Sequence, residues 1–96
     1  VKFYKNALVI DSKNNTVRIN LARAYTKNGE YDNAKVTYTE LLKMDNQNWD
    51  GYLELGKVCL QLGDNASAEK WLVYLQAKNP KFKAAEVDSL LSAINQ

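Results

Sequence analysis

Apolar residues recur at helical spacing in about six blocks separated by short polar breaks. In the first block, Val1–Ile10, they fall at Val1, Phe3, Tyr4, Ala7, Leu8 and Ile10, and Asp11–Asn14 then supplies turn-favouring polar residues. The second, Asn15–Lys27, places Val17, Leu21, Ala24 and Tyr25 on one stripe, with Ile19 and Ala22 beside it. Asn28-Gly29 stops that helix, because glycine takes the left-handed conformation that closes a helix end. Tyr31–Met44 follows with Ala34, Val36, Tyr38, Leu41 and Leu42 spaced for one buried face, and Asp45–Asn48 is polar. A further helix is predicted from Trp49 through Leu53, Leu55, Gly56 and Cys59 to the stop at Gly63. Asp64-Asn65 begins the next, which continues through Ala68, Trp71, Leu72 and Leu75. Asn79-Pro80 ends it, since proline disfavours helical geometry in the residue before it. Lys81–Gln96 is predicted as a last helix, with Val87, Leu90, Leu91 and Ile94 as its stripe.

The blocks repeat. Gly29 returns as Gly63, Ala34 as Ala68, Leu21 as Leu55, and Asp11 as Asp45 and then Asn79, each step being 34 residues. That period, with paired helices inside it, resembles the tetratricopeptide repeat. The family signature runs from a bulky residue through Leu-Gly and Tyr to Ala, then Phe and a closing Pro. One copy reads Tyr52, Leu55-Gly56, Cys59, Ala68, Leu72 and Pro80. Another reads Arg18, Leu21-Ala22, Tyr25, Ala34, Tyr38 and Asn46, and the leading segment supplies Tyr4, Ala7 and Ser12. The resemblance implies an all-α fold of antiparallel helix hairpins stacked as a right-handed α-solenoid. Residues 1–14 are then the second helix of a truncated repeat, 15–48 and 49–82 are complete repeats, and 83–96 is a C-terminal capping helix. The chain is expected to be a fragment of a longer array.

Small residues belong where the two helices of a repeat cross closely, so Ala22 should meet Ala34, and Gly56 should meet Ala68. Three departures stand out. Arg18 occupies a usual aromatic position, Ser12 and Asn46 replace the closing proline, and Leu41 and Leu75 replace a small alanine. The pairs Ala7/Val17, Leu41/Gly51 and Leu75/Ala85 are expected to exchange volume across successive repeats.

Composition removes most chemistry. A lone Cys59 and no histidine rule out an internal disulfide, a Cys-Cys zinc site and histidine-based catalysis. Cys59 lies on an apolar face and is expected to pack rather than react. The glycines are single punctuators, not a phosphate-cradling loop. Thirteen basic and 11 acidic residues are interspersed to a formal charge of +2, which gives nucleic acid no basic patch. No apolar run is long enough to span a bilayer, and these residues carry no signal-peptide pattern. No enzyme, cofactor, metal, nucleic-acid partner or membrane insertion is therefore expected.

Binding is where the resemblance points, because stacked repeats expose a concave wall lined by their first helices. By resemblance the groove is lined by Thr16, Ile19, Asn20, Arg23 and Lys27, then Asp50, Leu53, Glu54, Lys57 and Gln61, then Ala84, Val87, Asp88 and Leu91. Ile19, Leu53 and Val87 would form an apolar patch between charges of both signs. A protein or peptide partner suits such a trough. One subclass of the family clamps C-terminal carboxylates with Lys, Asn and Arg. Asn20 could serve as its central Asn, but Ile19, Arg23, Asp50 and Glu54 do not fit, and the acids would repel a carboxylate. The alternative is a structural spacer or self-association module without a groove ligand, forming a homo-oligomer through apolar residues of the leading helix, Val1, Phe3, Tyr4 and Leu8.

Overall fold

The computed structural model describes residues 15–95. Five helices follow one another: α1 (Asn15–Lys27), α2 (Tyr31–Met44), α3 (Trp49–Gln61), α4 (Asn65–Lys78) and α5 (Ala84–Ile94). Among the described residues there is no strand, and no helix is long and apolar enough to cross a membrane. The leading helix expected over residues 1–14 and the Ala7/Val17 pair lie outside the described residues.

Two hairpins, α1–α2 and α3–α4, share one turn. Gly29 and Gly63 both sit at φ +76°, in the left-handed region that a side chain disfavours. In the first turn, Glu30 N donates to Tyr25 O (2.8 Å) and Gly29 N to Thr26 O (3.1 Å). In the second, Asp64 N donates to Cys59 O (2.9 Å) and Gly63 N to Leu60 O (3.1 Å). This paired closure satisfies the last carbonyls of each first helix, and the very next residue starts the second. At α4 that residue caps well, Asp64 Oδ1 accepting from Ser67 N at 3.2 Å. At α2 the equivalent Glu30 makes no side-chain cap bond.

The hairpins close over small residues. Ala22, Ala34 and Ala68 are fully buried. A Cβ added to Gly56 would lie 2.8 Å from both Cγ and Cδ2 of Leu72, so any side chain there requires Leu72 to shift. Between hairpins, a Cβ on Gly51 would lie 3.1 Å from Leu42 Cδ2 and 3.3 Å from Leu41 Cδ2. The large Leu41 thus seats over the absent side chain of Gly51, the volume exchange expected there. At the corresponding position of the next junction, Leu75 is fully buried and Ala85 is exposed.

One contiguous core runs from Leu21 and Tyr25 through Tyr38, Leu41 and Leu55 to Leu72, Leu75 and Val87. It includes Cys59, which is buried, and its thiol is pushed above the ordinary value chiefly by that burial. Arg18, in the usual aromatic position, is also buried, its Nη1 donating to Asn15 Oδ1 at 3.0 Å. Where Asn46 replaces proline, the Tyr52 hydroxyl donates to Asn46 O at 2.9 Å and ties the turn down from the next helix. Tyr52 also packs against Trp49, Trp71 and Tyr74, with ring centroids 5.9, 5.9 and 5.1 Å away. Burial, helped by its hydroxyl neighbour on Tyr74, pushes the Tyr52 phenol up to about 12.

Two expectations need correction. Val36, assigned to the buried face of α2, is 58% exposed, because α2 turns Ala34, Thr37, Tyr38, Leu41 and Leu42 inward instead. The last helix starts at Ala84 rather than Lys81. Phe82 N donates to Asn79 O (3.1 Å), a turn that uses up the residues after Pro80. Lys83 then enters the helix at φ 44°, a left-handed conformation that costs a non-glycine residue about 1–2 kcal/mol.

Candidate interaction surface

The candidate face is carried by the first helix of each repeat, α1 and α3, together with α5. On α1, Ile19 and Asn20 are half-buried, while Arg23 and Lys27 are exposed. On α3, Asp50, Glu54 and Lys57 are half-buried and Gln61 is exposed; on α5, Asp88 is exposed. Leu53 and Val87, expected in the groove as its apolar patch, are each only 1% exposed and belong to the core. The reason is how completely each helix is covered. Helix α3 has helices packed before and after it and buries seven residues, against four on α1, so its apolar stripe is too wide to leave Leu53 open. Val87 is the one residue of α5 that is fully turned into the stack. Ile19 alone of the three keeps partial access to solvent.

Charges tie this face together from helix to helix. Arg23 Nε donates to both oxygens of the Glu54 carboxylate, at 3.0 and 3.2 Å, joining α1 to α3. Lys57 pairs with Glu86, and Lys83 Nζ lies 3.4 Å from Asp50 Oδ1, joining α3 to α5 and its approach. Asp88 accepts from Gln76 Nε2 at 2.6 Å. The Glu54 hydrogen bond raises Arg23 above its ordinary value, and the Lys57 hydrogen bond holds Glu86 below its own. Under Arg23 and Glu54 lies the buried Tyr38, whose hydroxyl is pushed up first by burial and then by the nearby Glu54 carboxylate. Pairs this exposed contribute little stability individually, up to about 1 kcal/mol. Together they match Arg23, Lys57 and Lys83 with Glu54, Glu86 and Asp50.

Sequence reasoning placed Arg23, Asp50, Glu54 and Lys57 here but missed Lys83 and Glu86. The signal was present: opposite charges stand about one repeat apart, Arg23 and Glu54 being 31 residues apart. On the other side of the stack, α2 and α4 expose Val36, Met44, Val73 and Tyr74. Lys70 and Lys78 lie over the Trp71 and Tyr74 rings there, 5.0 and 5.7 Å from the centroids. Among the described residues no cluster of His, Cys, Asp and Glu could hold a metal ion.

Paired helices, a left-handed glycine between them, and small residues at each crossing define a helical-hairpin repeat. The tetratricopeptide repeat profile matches residues 26–94, and the chain belongs to the tetratricopeptide repeat family. Among solved structures, the fold is similar to that of the Yersinia enterocolitica type III secretion chaperone SycD in complex with a peptide of the translocator YopD. The two share 28% identity over 98% of this chain and 76% of that one, with a TM-score of 0.88. It is also similar in fold to the second such domain of human RPAP3 in complex with an HSP70 peptide. That likeness is 22% identical over 97% of this chain and 76% of the other, at a TM-score of 0.86. Among curated proteins, none matches the chain in sequence.

Proposed function

We propose that this chain is a non-catalytic protein-interaction scaffold that holds a peptide or partner segment along the face made by α1, α3 and α5. The observation that carries the reading is the likeness to SycD, at 28% identity over nearly the whole chain, in a structure that includes a peptide of YopD. Charge chemistry narrows it. Asp50 and Glu54 oppose an anionic ligand, and Arg23 is already bonded to Glu54, so a C-terminal carboxylate finds no open cation at the centre of the face.

A displayed random-peptide library, panned on the wild type and on Ile19→Asp, tests this. Ile19 is a half-buried apolar residue of the face, so its aspartate variant should keep its helix content and lose about tenfold in peptide retention. Equal retention by both proteins would move the site off this face. Leu53→Asp is unsuited to the purpose, since a charge forced into the core unfolds the protein before it reports on binding.

The second reading, a spacer or self-association module without a groove ligand, draws on the exposed Val36, Met44, Val73 and Tyr74 of α2 and α4. A monomeric mass that does not change with concentration in sedimentation would remove the self-association part.

A further inference from the structure

The balance of charge on the α1–α3–α5 face goes beyond the pairs themselves. Its basic groups are Arg23, Lys27, Lys57 and Lys83 and its acidic groups are Asp50, Glu54, Glu86 and Asp88, so the signs cancel. Six of these are joined as Arg23–Glu54, Lys57–Glu86 and Lys83–Asp50. Asp88 takes a hydrogen bond from Gln76. Lys27 sits in the last turn of α1, where the helix's own carbonyl end favours a cation. Among the uncharged polar groups of the face, the Asn20 and Gln61 amides make no side-chain hydrogen bond to other described residues.

From this we infer that the segment held on the face carries no charged side chains and is an uncharged stretch of apolar, amide and hydroxyl residues. The inference rests on the functional reading above and specifies its ligand. At the three ion pairs a charged ligand residue would compete with a partner already in place. One contact would replace another of the same kind, while the newcomer still lost hydration and rotamer freedom. An uncharged segment disturbs no pair. Its peptide groups can donate to and accept from Asn20 and Gln61, each of which offers both functions, and its apolar side chains can cover Ile19. With no net charge on the face, no long-range field steers a charged partner toward it, so binding should be indifferent to salt.

The test uses three libraries of equal-length peptides, acetylated and amidated at their ends: one without charged residues, one with Glu at alternate positions, and one with Lys there. Each is passed over the wild type and over Glu54→Gln/Glu86→Gln, which leaves Arg23 and Lys57 without their carboxylates. The wild type should retain the neutral library best, with less than about a twofold change between about 0.02 and 0.5 M salt. The double variant should gain about tenfold for the Glu library, and that gain should vanish at the higher salt. Preference of the wild type for either charged library overturns the inference but leaves the face as a peptide site. Retention of no library by the wild type overturns both.

Discussion

The two hairpins obey one frame and fill it differently. At equivalent positions α1–α2 carries Ala22, Tyr25 and Tyr38, and α3–α4 carries Gly56, Cys59 and Leu72, and all the side chains among these are buried. Arg18 and Tyr52 occupy equivalent positions, one bonded to Asn15 and the other tying down Asn46. What stays constant is the glycine turn and a small residue on the first helix. The difference teaches that the frame fixes where volume may go, whereas neighbouring side chains settle how much each supplies. Cores tolerate such exchange when total volume is kept.

Exchanging the two small residues breaks this comparison most sharply. Gly56→Ala gains about 1 kcal/mol of helix propensity. Its new Cβ, however, must displace the buried Leu72, whose branch carbon Cγ would lie 2.8 Å away. Overpacking of this kind costs about 1–3 kcal/mol, so the variant should be destabilised despite the better helix former. Ala22→Gly should also destabilise, by about 1 kcal/mol of propensity, at a position that is fully buried. Urea unfolding midpoints measure both. A stabilised Gly56→Ala would show that Leu72 moves aside freely and that the glycine is not required for packing.

The parts of the fold legible in the sequence were those governed by local geometry. Gly29 and Gly63 announce left-handed turns, and the recurrence of Ala34 as Ala68 announces the crossings. Leu53 and Val87 were misplaced because the period gives direction around a helix but not how many other helices cover it. Val36 failed for the converse reason, since an apolar residue at helical spacing is not thereby faced by anything. Lys83 and Glu86 were missed because ion pairs between repeats depend on side-chain reach, which no single-helix pattern contains.

A smaller difference lies at the start of each second helix, where Asp64 caps α4 through Ser67 N and Glu30 makes no such bond at α2. Glutamate's longer side chain does not hold its carboxylate at the short reach that capping uses. Glu30→Asp should therefore stabilise the protein by about 0.5–1 kcal/mol, and Asp64→Ala should destabilise it. Thermal midpoints of the two variants check this. If Glu30→Asp leaves the midpoint unchanged, the α2 start is satisfied by solvent and the two caps are equivalent in effect.

The smallest expected effect is acid sensitivity belonging to the second hairpin and its junction with α5. The Asp64 carboxyl is held below its ordinary 3.8, first by the Ser67 hydrogen bond and then by Lys35, whose Nζ lies 3.1 Å away. Glu86 is held below its ordinary 4.5 by Lys57. A carboxyl whose value is lower in the folded chain stabilises that chain above its ordinary value, and the contribution disappears as pH falls through the folded value. Urea midpoints should accordingly begin to fall as pH drops below 4.5, with the fall continuing below 3.8. In Asp64→Asn/Glu86→Gln the fall should be shallower, since asparagine keeps the cap acceptor and only the titrating charges are gone. An equally steep fall in that variant would assign the acid response to other carboxylates, and would leave the two hairpins alike in this respect.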